Sequence, residues 1–256
     1  MVSNDPAGKR VKTTENAFAI LRALKRLHGA GVSELADEVG LAKSTTHRHL
    51  GTLAQLGWVV EETDTYRIGF RFLEFGEHAR QRKQGYRLAR EKVEALADET
   101  AERVQFLVEE NGQAVYVHRA LGEHAVRTDP GIGSRIPLHA TSGGKAILAQ
   151  LPESRVDEII ERRGLAALTP HTITSREQLF EGFERIRDRG YSIDDQENIE
   201  GLRALEVPIR RKNGLVLGAL SVSGLTHRMK GEWFNRELVD LPLGTANEIE
   251  LNVQHS

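Results

Sequence analysis

The chain has 256 residues, a formal net charge of -2, no cysteine and 39% hydrophobic residues. That length holds two domains with cores of their own, of about 80 and about 170 residues. The lack of cysteine excludes disulfides and thiolate zinc sites and fits a reducing cytoplasm. No run approaches the roughly 18 apolar residues that span a bilayer, so no membrane association is expected. Residues 1–80 carry 11 Lys or Arg against 10 Asp or Glu, so any binding to nucleic acid must come from a local face.

Residues 1–12 are polar, with Pro6, Gly8, Lys9, Arg10 and Lys12, and are expected to form a flexible leader. Thr13 or Thr14 is placed to cap a first helix whose apolar face is Ala17, Ile20, Leu21, Leu24 and Leu27. From Val32 to Gly57 the spacing predicts two short helices and a tight turn. Val32, Leu35, Ala36 and Val39 recur at helical spacing, Gly40 can take a positive φ, and Leu41 opens a second apolar series. In the second helix Thr46, Leu50 and Leu53 face inward. This leaves Lys43, Ser44, Thr45, His47 and Arg48 at its outward N-terminal end as partners for bases and phosphates. No acid occurs from Val39 to Val60, so this helix can approach a polyanion without like-charge repulsion. The following run, Trp58 to Ile68, reads as a hairpin, which completes a winged helix-turn-helix.

Residues 70 to about 103 have a helical pattern interrupted by the charged run Arg80-Gln81-Arg82-Lys83-Gln84-Gly85, where the domain boundary is expected: 13–80 for the first domain with the start of a linker, 81–256 for the second. From Val104 onward strands alternate with helices. Asn111-Gly112 and Asn213-Gly214 mark tight turns, Ser142–Leu151 and Arg155–Arg163 read as helices, and Ser175-Arg176-Glu177-Gln178 opens another that ends at Gly190. A last helix follows Gly231, with Pro242 expected to break it. The fold class is α+β: an N-terminal winged helix-turn-helix and a domain with a mostly antiparallel sheet.

Three segments, GLAKSTTHRHLGTLAQLGWV, IPLHATSGGKAILA, and DDQENIEGLRALEVPI with GLVLGALSVSG, in this order and at this separation resemble IclR-type transcriptional regulators over roughly residues 13–253. The resemblance implies a homodimer or homotetramer that binds a double-stranded DNA operator. It also implies that the second domain is GAF-like and takes a small effector, commonly a carboxylate or sugar acid. Carried over by position, the effector pocket is lined by Thr128, Ile136, Ser142, Gly143, Asp194, Ala204, Ser221 and Ser223. Two of its places are unusual, since Ala204 stands where many members have Cys and Glu206 where they have a small apolar residue. The residues themselves agree in part: Ser221 and Ser223 alternate on one strand face, and the turn at Ser142-Gly143-Gly144 offers N–H groups at the start of a helix. The helical stretch from Phe70 to Arg103, read as continuous, is the lever expected to couple the domains.

Other readings are weaker. Gly143-Gly144-Lys145 lacks the remaining P-loop residues, with His139 and Ala146 in their places. His47 and His49 are two apart on a helix and point apart, and His118, His124 and His139 are scattered, so no metal and no cofactor are expected. Asp194, Asp195, Glu197 and Glu200 read as loop acids, with only Asp194 as a ligand partner. Ser221 and Ser223 lack a nucleophile elbow. An enzyme acting on a small acid, with the winged helix as an accessory module, is the alternative, and no nucleophile, metal set or cofactor loop supports it.

Overall fold

In the computed structural model residues 10–126 and 131–254 are described, and the chain divides into two compact units, Met1–Ala79 and Arg80–Ser256. In the first, helices α1 (Lys12–Leu27), α2 (Val32–Val39) and α3 (Lys43–Gln55) precede an antiparallel hairpin of β1 (Val59–Glu62) and β2 (Thr65–Ile68). Ile20, Leu21 and Leu24 of α1, Leu35 of α2, Leu50 and Leu53 of α3, and Val59 and Tyr66 of the hairpin form one core. Each large aliphatic buried there contributes about 1.5–3 kcal/mol. Gly40 ends α2 at φ 65, a left-handed conformation that a side chain would strain, and so turns the chain into α3.

The start of α1 departs from expectation. Its N-cap is Val11, which has no side-chain acceptor, and Lys12 belongs to the helix rather than to a leader. Glu15 in the first turn, 3.6 Å from Arg10 and 3.8 Å from Lys12, supplies the negative charge that a helix N-terminus favours. Residues 1–9 of the expected leader, and Thr128, lie outside the described residues.

The continuous lever expected over residues 70–103 is two helices, α4 (Arg71–Gln81) and α5 (Gln84–Thr100), with Lys83 extended between them at φ -128, ψ 139. The charged run has no apolar residue to continue a helical stripe. Its arginines are recruited sideways instead: Arg80 Nε donates to the Val117 carbonyl at 3.0 Å and Arg82 to Glu110 at 3.0 Å. Arg103, expected at the helix end, begins a strand.

The second unit is built on six strands: β3 (Arg103–Glu110), β4 (Gln113–Leu121), β5 (Arg135–Pro137), β6 (Ser192–Asp195), β7 (Leu202–Arg210) and β8 (Val216–Leu225). Their order is β5-β4-β3-β8-β7-β6, and every neighbouring pair is antiparallel. Asn111 and Gly112, at φ 56 and 76, make the tight β3–β4 turn that the sequence indicates. Helices α5 and α9 (Leu238–Gln254) cover one face of the sheet; α6 (Ser142–Leu148), α7 (Glu153–Arg163) and α8 (Arg176–Arg189) cover the other. Ser175 caps α8 by accepting from the Gln178 amide, and Gly190 ends it at φ 82. Pro242 does not break the last helix. It lies buried inside α9, beyond its first turn, and a π-helical turn at Trp233–Glu237 immediately precedes that helix. Such a widened turn is a usual site for the bend that proline's missing donor and bulky ring require.

Candidate functional site

The first candidate surface is the N-terminal end of α3. Thr46, Leu50 and Leu53 are buried and hold the helix against α1 and the hairpin. Lys43, Ser44, His47 and Arg48 are exposed and Thr45 half-buried, so the five residues singled out in the sequence share the outward end; His49 is half-buried at the core edge. The N-cap is Ala42, with no side-chain cap and no acid in the first turn. The N–H groups there therefore lack a side-chain acceptor that would compete with a phosphate.

The second candidate is a cavity between the sheet and α6. Successive residues on a strand face opposite ways, so β3, β7 and β8 each send one set of side chains under α5 and α9 and the alternate set under α6. The second set forms two rows across the sheet. Gln105 pairs with Ser221, Ser221 with Glu206 and Glu206 with Ser192; one step along, Arg103 pairs with Ser223, Ser223 with Ala204 and Ala204 with Asp194. Arg103, Gln105, Tyr116, Thr141, Asp194, Ala204, Glu206, Ser221 and Ser223 line a cavity of about 20 Å³, enough for one water-sized guest. A metabolite enters only if these walls part.

Asp194, Ala204, Ser221 and Ser223 are thus brought together as the sequence reading required. Ser142 and Gly143 of α6 do not line the cavity but stand beside its Glu206. A Cβ on Gly143 would lie 2.7 Å from Leu107 and 3.1 Å from the Glu206 carboxyl carbon, so this position needs the missing side chain. Ile136 sits on β5, paired with Ala114 and packed against the apolar layer, and does not line this cavity. The free amides expected at the start of α6 are fewer than three, because the Gly144 amide donates to Thr141 Oγ1 at 3.0 Å. Lys145 is not a phosphate ligand: it is buried in an ion pair with Glu197 and donates to the Ile193 carbonyl at 3.1 Å.

The cavity's electrostatics are set by burial. Glu206 is pushed up to about 7 chiefly by desolvation, against the opposing pull of the Ser142 and Ser221 hydroxyls and of Lys145 and Arg103. Asp194 also rises to about 7, first through burial and then through the Glu206 charge, although its Oδ1 accepts from the Glu197 amide at 2.7 Å. Burial raises Tyr116, which keeps it a neutral phenol, and lowers Arg103, whose Nε donates to Ser223 Oγ at 2.9 Å. Gln105 Nε2, Ser142 Oγ and Glu206 Oε2 are buried without a hydrogen-bond partner. Each such atom costs about 1–3 kcal/mol, more for a charged group, so their concentration here is a mark of a binding site.

The histidines do not gather. His118 contacts Arg80 and the Tyr86 carbonyl, and His139 the Ala166 carbonyl. Among the described residues no group of three or more His, Asp or Glu is placed to hold a metal.

Comparison with known proteins identifies both domains. Residues 81–250 match the model of the bacterial transcriptional regulator IclR C-terminal domain, and residues 13–63 that of the IclR helix-turn-helix domain. The chain belongs to the IclR family of transcriptional regulators. It is 33% identical to the probable HTH-type transcriptional regulator ArcR of Halobacterium salinarum, over 98% of this chain and 97% of that one. The crystal structure of the Thermotoga maritima IclR superposes with a TM-score of 0.82 at 28% identity, over 95% of this chain and 99% of that one. The inducer-binding domain of the transcription factor PobR from Acinetobacter, a double mutant complexed with 3-hydroxybenzoic acid, superposes with a TM-score of 0.59 at 30% identity, over 64% of this chain and 96% of that one. An IclR-family member is a DNA-binding regulator with an effector-binding domain, so the enzyme alternative falls away.

Sequence reasoning missed Arg103, Gln105, Tyr116 and Thr141. A signal for two of them was present: Arg103 and Gln105 alternate with Val104 and Phe106, the pattern of a strand with one polar buried face. Glu206 was noticed only as an unusual residue. Its place opposite Ser221 depends on the β7–β8 register.

Proposed function

We propose that this regulator reads its operator with the N-terminal end of α3 and releases or tightens its grip when a small organic or sugar acid occupies the cavity under α6, controlling a catabolic operon. In this reading Lys43, Ser44, Thr45, His47 and Arg48 are the DNA-contacting residues in the major groove. Residues 13–80 form the reading domain, with any preceding leader outside it, and 81–256 form the effector and assembly domain. Ser142, Gly143, Thr128, Asp194, Ala204, Ser221 and Ser223 contact the effector, and Ile136 joins them only if the cavity opens toward β5. PobR's domain, complexed with a hydroxybenzoic acid, supports an aromatic or aliphatic hydroxy acid as the class to try first.

The observation that carries the reading is the row of buried polar groups Gln105, Ser221, Glu206 and Ser192 across the sheet, in which Gln105 Nε2, Glu206 Oε2 and Ser192 Oγ have no partner. An assembly of two or four copies is part of the proposal. α4 has no buried residue, with Leu73 67% exposed and Phe70, just before the helix, 88% exposed, an apolar surface of the kind that a second copy covers. Two half-sites also give a near-neutral reading domain enough phosphate contacts. The work is done in the cytoplasm, where the DNA is.

The test is an operator titration with and without a panel of sugar acids, 2-hydroxy acids and hydroxybenzoates, for the wild type and for Ser221→Ala with Ser223→Ala. Typical coupling changes operator affinity roughly 5- to 150-fold. The double variant is expected to lose that response; an unchanged response places the effector elsewhere.

A further inference from the structure

The polar groups on the cavity floor are sorted by sign. Arg103 and Gln105 stand on β3, while Glu206 and Asp194 stand on β7 and β6 with Ser221 and Ser223 of β8 between. Two and three strand spacings separate these backbones, roughly 10 and 14 Å. Inward atoms at opposite ends lack partners: Gln105 Nε2, a donor on a residue 2% exposed, at one end, and Glu206 Oε2, an acceptor on a residue 4% exposed, at the other, beside the partnerless hydroxyls of Ser142 and Ser192. One ligand with an acceptor at one end and a donor at the other satisfies both. Glu206 also occupies the ground beside Ser142 and Gly143, so a ligand carboxylate placed there meets another carboxylate.

We infer that the effector of this chain is a small zwitterion, a carboxylic acid bearing a protonated nitrogen, with the nitrogen on Glu206 and Asp194 and the carboxylate toward Gln105 and Arg103. This rests on the reading of the cavity as the effector site and deepens it. A ligand hydroxyl donates one bond, whereas an ammonium donates three and carries the charge that two buried carboxyls lack. The groups facing the carboxyl pair are the Ser142 hydroxyl and Lys145 from α6, Glu197 after β6, Tyr116 from β4, Arg103 from β3 and the Ser221 hydroxyl from β8. Lys145 is committed to Glu197 and Arg103 donates to Ser223, so neither neutralises Glu206 Oε2 by a hydrogen bond. Both carboxyls titrate near neutrality. A docked cation therefore expels protons, whereas a plain anion draws them in.

The experiment is calorimetry on the full chain at pH 7 with matched amino, hydroxy and keto acids: alanine, lactate and pyruvate; glutamate, 2-hydroxyglutarate and 2-oxoglutarate; phenylalanine, phenyllactate and phenylpyruvate. A thermal-shift screen of the twenty common amino acids extends the series. At least one amino acid is expected to bind roughly tenfold or more tightly than its hydroxy counterpart, with net proton release across buffers of different ionisation enthalpy. Glu206→Gln is expected to erase that preference. A hydroxy or keto acid that binds more tightly than its amino counterpart, net proton uptake, or an amino-acid screen without a hit overturns the proposal. If Glu206→Gln does not fold, the wild-type preference and proton count decide alone. Ser221→Ala with Ser223→Ala separates the two levels: a hydroxy acid whose binding is lost in that variant leaves the cavity standing and removes the zwitterion. A ligand whose binding is unchanged there removes both.

Discussion

The two faces of the six-stranded sheet come from the same strands and are equally buried, yet they differ in kind. Under α5 and α9 the strands present Val104 and Phe106, Leu205 and Val207, Leu220 and Val222, a packed apolar layer. Their alternate neighbours under α6 are Arg103 and Gln105, Ala204 and Glu206, Ser221 and Ser223, with partnerless atoms among them. The apolar face lowers the free energy of folding through area removed from water, while the polar face raises it through desolvation that internal partners do not fully offset. A fold that retains such a face uses it for something other than stability.

The sharpest way to break this comparison is to damage each face and compare the costs. Phe106→Ala, in the fully buried apolar layer, is expected to cost about 3–5 kcal/mol in urea unfolding; a cost below about 1 kcal/mol removes that layer as the main source of stability.

The polar face should instead show itself through pH. The Glu206 carboxyl is raised from 4.5 to about 7, so between these values the unfolded chain ionises it and the folded chain does not. Stability then falls as pH rises through this window, by up to roughly 3 kcal/mol, and Asp194 acts in the same direction. Urea midpoints at pH 5 and pH 8 are expected to show this loss in the wild type and a smaller one in Glu206→Gln. Equal losses refute the assignment.

Exposed polarity behaves differently again. Arg48→Ala on α3 is expected to leave the unfolding midpoint unchanged and to remove about 1–3 kcal/mol of operator discrimination, the worth of a bidentate base contact; a footprint with unaltered preference at the same salt excludes this residue from reading. The smallest effect should come from Thr141→Ala. Thr141 is a polar residue of the cavity whose hydroxyl has a partner, since it caps α6 through the Gly144 amide. Its loss should cost about 1 kcal/mol in thermal unfolding. A stabilised Thr141→Ala variant would mean that partnered and partnerless polar groups on this face are equivalent.

The reading unit was legible because its pattern is local. Leu50 and Leu53 bury and Lys43 and Arg48 stay out through one helical period, and Gly40 marks the turn by its own conformational freedom. Half of the cavity was legible for the same reason: Ser221 and Ser223 share a strand face by alternation alone. The helical break at Lys83 was visible as a charged run, but its geometry depends on acceptors on β3 and β4 that Arg80 and Arg82 find only in the fold. Pro242 misled because its local rule ignores the π-helical turn that precedes it.

The sequence by itself determined the alternation of each strand, the outward basic end of α3 and the family to which the chain belongs, since all of these are written in spacings of a few residues. Only the tertiary structure decided which polar residues meet. Gln105 is separated from Glu206 and Ser221 by most of the second unit along the chain and joins their row through the β3–β8 register, which long-range pairing fixes. Burial then follows from α6 closing over that row, and burial, not residue type, is what raises the Glu206 carboxyl and leaves one of its oxygens without a partner.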